Sequence, residues 1–242
     1  MAKALKPYFS IIIPARNEEK LLAACLKAIK ASASQAELSY EIIVILNRCT
    51  DSTEKIALEN GCKTVRSEAK NLSSIRNTGA SIAQGQILIT IDADIKMSKN
   101  MLSSIYKAME SGRYIGGGVM MYMERLSLGI FCTFLLLLPV VLLDPILGGL
   151  FFCKKEDFDK INGFDETFVS AEDIDFAKRL KTFGKTKGLK FALLFRSYIV
   201  TSSRKFDALG DWYFLKNPRY FLTLLKGRNQ RAANKFWYDF KR

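Results

Sequence analysis

Apolar runs alternate with helical patterns along the first ninety or so residues. Phe9 to Ile13 has only Ser10 among apolar neighbours, the length and composition of a buried strand. From about Glu18 to Ala31, Leu21, Leu22, Cys25, Leu26 and Ile29 fall on one face of a helix. Glu41 to Leu46 reads as a second strand, and Thr50-Asp51-Ser52-Thr53 as a helix-start cluster ahead of Ile56, Ala57 and Leu58. Lys63 to Arg66 is a short third strand, Ser73 to Ala83 a helix, and Gln86 to Ile91 a fourth strand. Strands separated by helices predict βαβ units, hence an α/β fold with a mostly parallel sheet flanked by helices. Ligands of such sheets sit beyond the carboxyl ends of the strands, near a topological switch point. Asn17, Asn47 and Asp94 all fall at such ends, so three distant segments converge on one crevice.

The fourth strand ends in Asp92-Ala93-Asp94. Residues i and i+2 of a strand share a face roughly 6.5–7 Å apart. That spacing lets two carboxylates hold one Mg²⁺ or Mn²⁺ with its waters, directly or through bound phosphates. Taken alone, the pair also suits a solvated turn.

Leu126 to Leu143 carries no charge over 18 residues, which raises a membrane-spanning helix as a candidate. Pro139 interrupts the run and Asp144-Pro145 ends it. If acidic groups on both sides belong to one site, a single crossing would separate them. The segment 126–147 therefore reads as a helix lying in a membrane interface or packed under the sheet, with membrane contact the favoured reading.

Composition narrows the chemistry. The chain has 242 residues and no histidine, so Ser-His-Asp, Cys-His and His-metal machinery are excluded and carboxylates become the first candidates for a general base. Five cysteines (Cys25, Cys49, Cys62, Cys132, Cys153) are scattered without metal-ligand spacing and suit a reducing compartment. The first residues lack a signal-peptide pattern, so the catalytic part is expected to be cytoplasmic. From Lys178 onward 17 Lys and Arg face 3 Asp and Glu, a segment charge of +14 against +13 for the whole chain. Interleaved Phe206, Trp212, Tyr213, Phe214, Tyr220, Phe221, Phe236, Trp237, Tyr238 and Phe240 suit a headgroup interface as well as stacking on bases. Such a block meets an anionic surface, whether nucleic acid, a phosphate-bearing substrate or a membrane leaflet; together with the apolar run 126–143, the basic extension 206–242 is read as meeting an anionic surface at the inner face of the cell membrane, with no nucleic-acid partner expected.

Beyond the apolar run come Asn162-Gly163-Phe164-Asp165-Glu166 and Ala171-Glu172-Asp173-Ile174-Asp175. The acids open a helix whose apolar face includes Phe176, Leu180 and Phe183, where the dipole favours negative charge. A structural alternative pairs Asp175 with Arg179 at i,i+4.

In order, the segments Ser10 to Glu18, Arg76-Asn77-Thr78-Gly79-Ala80, Asp92-Ala93-Asp94, Asn162 to Glu166 and Glu172-Asp173 resemble a family 2 glycosyltransferase with the GT-A (nucleotide-diphospho-sugar transferase) fold. The resemblance covers about residues 8–205. It implies sugar transfer from a nucleotide-sugar donor to an acceptor hydroxyl, with inversion and a divalent cation. It also implies Asp94 as the more direct metal ligand, Asp92 as a contact to metal or nucleotide, and Asp173 as the base, with Glu172 and Asp175 beside it. Pro14, Ala15, Asn17, Glu18, Asn47, Asp51 and Ala93 would line the nucleotide site. Arg76 would face the nucleotide or diphosphate, and Ser203-Arg204-Lys205 would close over the diphosphate. One position departs from the pattern. Leu46 stands where the family commonly has an Asp that meets uracil, which leaves GDP-linked donors open. The acceptor is expected to be a lipid or lipid-linked molecule, with Asp211-Trp212-Tyr213 beside its pocket.

Other classes fit less well. A nucleotidyltransferase usually has a Gly-rich basic loop after the first strand, and Pro14 to Glu19 has no Gly. The G-x-G-x-x-G of a dinucleotide enzyme is absent there too. A non-catalytic membrane-binding module would explain the basic extension but not the ordered carboxylates.

Overall fold

A computed structural model describes residues 6–143 and 149–234. Asp144 and Pro145 of the apolar segment, the start of the chain and the aromatic group Phe236 to Phe240 lie outside the described residues.

The elements are β1 (Phe9–Ala15), α1 (Leu22–Ala36), β2 (Tyr40–Asn47), α2 (Thr53–Glu59), β3 (Lys63–Ser67), α3 (Leu72–Ile82), β4 (Ile87–Ile91), β5 (Ile95–Met97), α4 (Met101–Glu110), β6 (Tyr114–Met123), α5 (Leu128–Leu143), β7 (Leu150–Lys154), α6 (Lys155–Lys160), α7 (Glu172–Thr186), β8 (Lys190–Thr201), α8 (Arg204–Leu209), α9 (Tyr213–Lys216), α10 (Pro218–Leu225) and α11 (Gln230–Ala233). They build an eight-stranded sheet in the order β3-β2-β1-β4-β7-β6-β8-β5. β3, β2, β1 and β4 run parallel, as the pattern predicts. The second half is mixed, because β7 inserts antiparallel between β4 and β6, and β5 pairs antiparallel with β8. The chain leaves β1 toward β2 and β3, then returns to β4 on the other side. The switch point therefore lies between the carboxyl ends of β1 and β4.

Period-2 alternation sorts β4 between two cores. Ile87, Ile89 and Ile91 pack in the core shared with α1 and α4, while Leu88 packs in the core shared with α3 and α7. Continued past the strand, the alternation turns Asp92 toward α3 and buries Ala93 in the first core. Gly79 lets α3 lie close on the sheet, since a Cβ there would fall 2.6 Å from Ile45 and 2.7 Å from Ile12. That close approach carries Arg76, one turn earlier, to the end of β4.

α1 begins at Leu22, later than the sequence pattern suggests. The backbone N–H groups of Glu18 and Glu19 are engaged by Thr53 Oγ1 and Asp51 Oδ2 at 2.8 and 3.0 Å, which holds Asn17 to Leu21 as a loop. The apolar run does form a helix, α5, and among the described residues no helix is long and apolar enough to cross a membrane. Ile130 and Thr133 face inward, whereas Leu126, Leu128, Phe131, Leu135, Leu136 and Leu138 are exposed.

Candidate active site

The rim at the switch point is made from segments far apart in sequence. Asn17 and Arg48, which end the first turn of the loops after β1 and β2, and Ala171, which precedes α7, all adopt left-handed backbone with φ of 52°, 52° and 51°. Non-glycine residues seldom take that conformation, and it concentrates around sites whose geometry is over-determined. The two loops are tied to each other. Asn17 Oδ1 accepts the Thr50 N–H at 2.8 Å, and Asp51 accepts from Thr53 N–H and Oγ1 at 3.0 and 2.6 Å as well as from Glu19.

Four acidic side chains face one another across this rim, with two arginines between them. Arg76, buried on α3, donates Nη2 to Asp92 Oδ1 at 2.8 Å and Nη1 to Glu172 Oε1 at 2.5 Å. Burial works against its charge, but Asp92 and Glu172 outweigh it and hold the guanidinium charged. Arg204, at the start of α8, forks onto Glu18 with Nη1–Oε2 and Nη2–Oε1 distances of 2.6 and 2.7 Å, and its Nη2 lies 3.1 Å from Asp94 Oδ2. Asp94 has its carboxyl raised above the usual range, first by burial and then by the charge of Asp92, against the opposing pull of Arg204.

Asp173 opens α7 beside these groups. Burial above all, then the neighbouring Glu172 charge, pushes its carboxyl up to about 7, while Arg76 opposes the shift. Asp92, Asp94 and Asp173 line a single cavity of about 360 Å³. The rest of its lining is largely apolar and includes Met121 and Met123 of β6, Phe134 of α5, Phe206 of α8, Phe214 of α9 and Phe221 and Leu224 of α10. Lys205 and Ser202 complete the rim.

Several residues expected at the site are held elsewhere. Asp175 lies about 200° around the helix from Asp173 and accepts Arg179 Nε at 2.7 Å, with Arg179 also bound to the Ile161 carbonyl. It does not line the cavity and is engaged in the i,i+4 pair instead. Asn47 is buried and donates to the carbonyls of Ser67 and Ala69, both at 2.8 Å, tying β2 to the chain after β3. Ala15 and Ala93 are buried among apolar side chains, and Pro14 is half-buried at the end of β1. Arg76 faces carboxylates where the sequence reading has it facing diphosphate. Asp211 is held by Arg125, whose guanidinium reaches it at 2.7 and 3.0 Å and Asp207 at 2.6 Å. Phe214, not Asp211 to Tyr213, reaches the cavity. The apolar wall has no signal in sequence beyond aromatic content, because five elements supply it.

The profile of the family described as glycosyl transferase family 2 matches residues 10–128, and that described as N-terminal domain of galactosyltransferase matches residues 142–191. The chain belongs to glycosyl transferase family 2. A 4,4'-diaponeurosporenoate glycosyltransferase of Staphylococcus haemolyticus is 36% identical over 115 residues, 44% of this chain and 30% of that protein. A dolichol-phosphate mannosyltransferase of Pyrococcus furiosus is 29% identical over 165 residues, 61% of this chain and 46% of that protein. The chain thus spans less than half the length of these two curated relatives. Among solved structures, a mannosyltransferase from Pyrobaculum calidifontis in complex with GDP-Man and Mn²⁺ superposes with a TM-score of 0.65 at 17% identity, covering 99% of this chain and 77% of the other. This likeness establishes the GT-A fold for this family 2 chain.

Its carboxylates suit a hard divalent cation. Among the described residues no cluster of three or more Asp, Glu, Cys or His has metal-holding geometry; Asp92 and Asp94 are two carboxylates on one cavity, a donor type that suits such a cation when phosphate and water fill its other positions. Burial first and the Asp92 charge second raise the Asp94 carboxyl, and a nearby cation would oppose both.

Proposed function

We propose that this chain transfers a glycosyl group from a nucleotide-sugar to the hydroxyl of a lipid or lipid-linked acceptor at an anionic membrane surface, with inversion. The cavity carries the reading: two carboxylates suited to a cation and one suited to a base share a chamber whose remaining lining is largely apolar.

The roles follow from the placement. A cation held by Asp92 and Asp94 would neutralise charge on the departing diphosphate as a Lewis acid. Asp173 takes the acceptor's hydroxyl proton as that oxygen bonds to the anomeric carbon and the bond from carbon to diphosphate oxygen breaks. Its raised carboxyl lets it exchange a proton near neutral pH. Arg76 positions the base by holding Glu172 against Asp92. Lys205 and Arg204 stand where leaving-group charge develops.

For the donor, Leu46 in place of the common Asp removes an expected contact to uracil and argues for a donor other than a UDP-sugar, GDP-linked or other, while structural neighbours are complexed with UDP-GlcNAc as well as with GDP-Man. For the acceptor, the apolar wall and relatives named for dolichol phosphate and 4,4'-diaponeurosporenoate favour a molecule with a large apolar part. For the membrane, the exposed leucines of α5 and the exposed Lys216, Arg219, Lys226 and Arg228 supply apolar contact and charge. Calorimetry with a panel of nucleotide-sugars tests the core of the proposal. Binding should require Mn²⁺ or Mg²⁺ and be lost in Asp94→Ala; equal binding in chelator, or none to any nucleotide-sugar, would overturn it.

A further inference from the structure

Arg204 links both strand ends of the switch point. It joins Glu18, after β1, to Asp94, after β4, and does so from the residue that opens α8. Its two Nη atoms satisfy both Glu18 oxygens, and the same Nη2 reaches Asp94. Both carboxylates are largely removed from water, with side-chain exposures of 4% and 13%. Buried carboxylates need compensation by an opposite charge. The neighbouring backbone is fixed independently of that side chain, because the Ser202 N–H donates to the Asp94 carbonyl at 3.2 Å and the Ser203 hydroxyl accepts the Arg125 N–H at 3.0 Å. The guanidinium can therefore change partners while its Cα stays beside the metal-binding pair.

We propose that Arg204 is a resident counter-cation of the Asp92–Asp94 site, guarding Asp94 against a bare divalent ion and leaving it for the donor's diphosphate. The inference rests on the reading of Asp92 and Asp94 as the metal pair. A dication arriving alone must displace a positive charge already seated on Asp94. A dication arriving with a nucleoside diphosphate brings the anion to which a planar, forked guanidinium is best suited. Arg204 then transfers its Nη2 contact from carboxylate to phosphate, and metal and nucleotide bind as one event.

Calorimetric titration of the whole chain with Mn²⁺, alone and in the presence of GDP or UDP, tests this in wild type and in Arg204→Met. Mn²⁺ alone should bind Arg204→Met at least about tenfold more tightly than wild type, because a unit charge a few ångströms from a dication is strongly felt. With nucleoside diphosphate present the order should reverse, since the variant has lost its diphosphate contact. A purely structural role for Arg204 would weaken binding in both conditions. Arg204→Lys keeps the charge but not the fork, and should fall between the two; it serves if Arg204→Met does not fold. The proposal is overturned if wild type takes up Mn²⁺ with GDP or UDP while neither variant binds Mn²⁺ alone more tightly. If wild type binds no Mn²⁺ with either nucleotide, the metal reading and this inference fall together.

Discussion

The two walls of the cavity are built on opposite principles. The carboxylate wall draws Asp92 and Asp94 from the turn that directly follows β4 and Asp173 from the first turn of α7, with Asp92 held by Arg76 and Asp94 by Arg204. The apolar wall draws seven side chains from five elements, three of them helices of eight residues or fewer toward the C-terminal end. A charged group in a half-buried site needs a fixed partner, so its position is over-determined. An apolar wall needs only to exclude water, and many arrangements of Phe, Met and Leu do so. The first wall is suited to chemistry common to a family, and the second to whatever acceptor one member takes.

The extension is nonetheless stitched to the base. Val169 and Ser170 N–H groups donate to the Gly227 carbonyl at 2.8 and 3.3 Å, and the Ser170 hydroxyl donates to the Leu224 carbonyl at 2.8 Å, just before Ala171 and α7. Gly227 has φ of 79°, and a Cβ there would fall 2.4 Å from the Phe168 ring. The proposed boundary at 205/206 thus divides the sequence more cleanly than it divides the site.

The largest effect separating the walls belongs to the base. Asp173→Asn keeps the size of the side chain but cannot accept the proton, so transfer should fall by roughly 10²–10⁴-fold with donor binding intact. Asp175→Asn, which loses only an i,i+4 pair, should change transfer less than about twofold. Steady-state transfer beside donor calorimetry reads both, and a larger loss at Asp175 would reverse the assignment.

On the other wall, Phe134→Ala and Phe206→Ala remove half-buried rings from the cavity without touching a carboxylate. Each should raise the acceptor KM by about tenfold, the worth of partial burial of a large apolar side chain, and leave the donor dissociation constant unchanged. A shift in donor affinity instead would mean that this wall holds the nucleotide.

Much of the carboxylate wall was legible in sequence because strand and helix periodicities fix where their ends point. The alternation through Ile87–Ile91 places Asp92 and Asp94 on the rim, and the apolar face of α7 fixes which side of that helix is buried. What stayed hidden was pairing across long separations. Nothing near Arg76 indicates that Glu172, 96 residues away, will occupy one of its nitrogens. Nothing near Glu18 indicates Arg204, 186 residues away. None of the strands β5 to β8 is in the sequence reading, and for β7 and β5 the reason is related, since antiparallel insertion into a parallel sheet is a property of topology rather than of local pattern.

The pH dependence is a smaller, directional effect of the same burial. Asp173 holds its proton up to about pH 7 in the folded chain, against an ordinary value of 3.8. As free base it should make kcat/KM climb about tenfold per pH unit below 7 and level off above. The sign for stability is opposite. Between about pH 4 and 7 the folded state binds the extra proton, so stability contributed by this group falls as pH rises. Asp173→Asn should flatten both trends, read by rate profiles and by thermal melts across that range. A wild-type rate profile without a rise toward 7 would assign the base elsewhere.

The smallest expected effect tests the outer side of the apolar wall. α5 packs on α9, and its exposed Leu135, Leu136 and Leu138 stand on the same element as Phe134, which faces the cavity. A membrane-bound acceptor would then pass from bilayer to Asp173 along one helix. Vesicle flotation should show binding that rises with anionic lipid and weakens with salt, since exposed Lys and Arg contribute about 1 kcal/mol each near such a surface. The remainder that survives high salt should drop a few-fold when Leu135, Leu136 and Leu138 are changed to Ser, with thermal melts unchanged because these side chains are exposed. A wild-type chain that ignores anionic vesicles at low salt would remove the membrane from the proposal and leave the apolar wall serving a water-soluble acceptor with an apolar part.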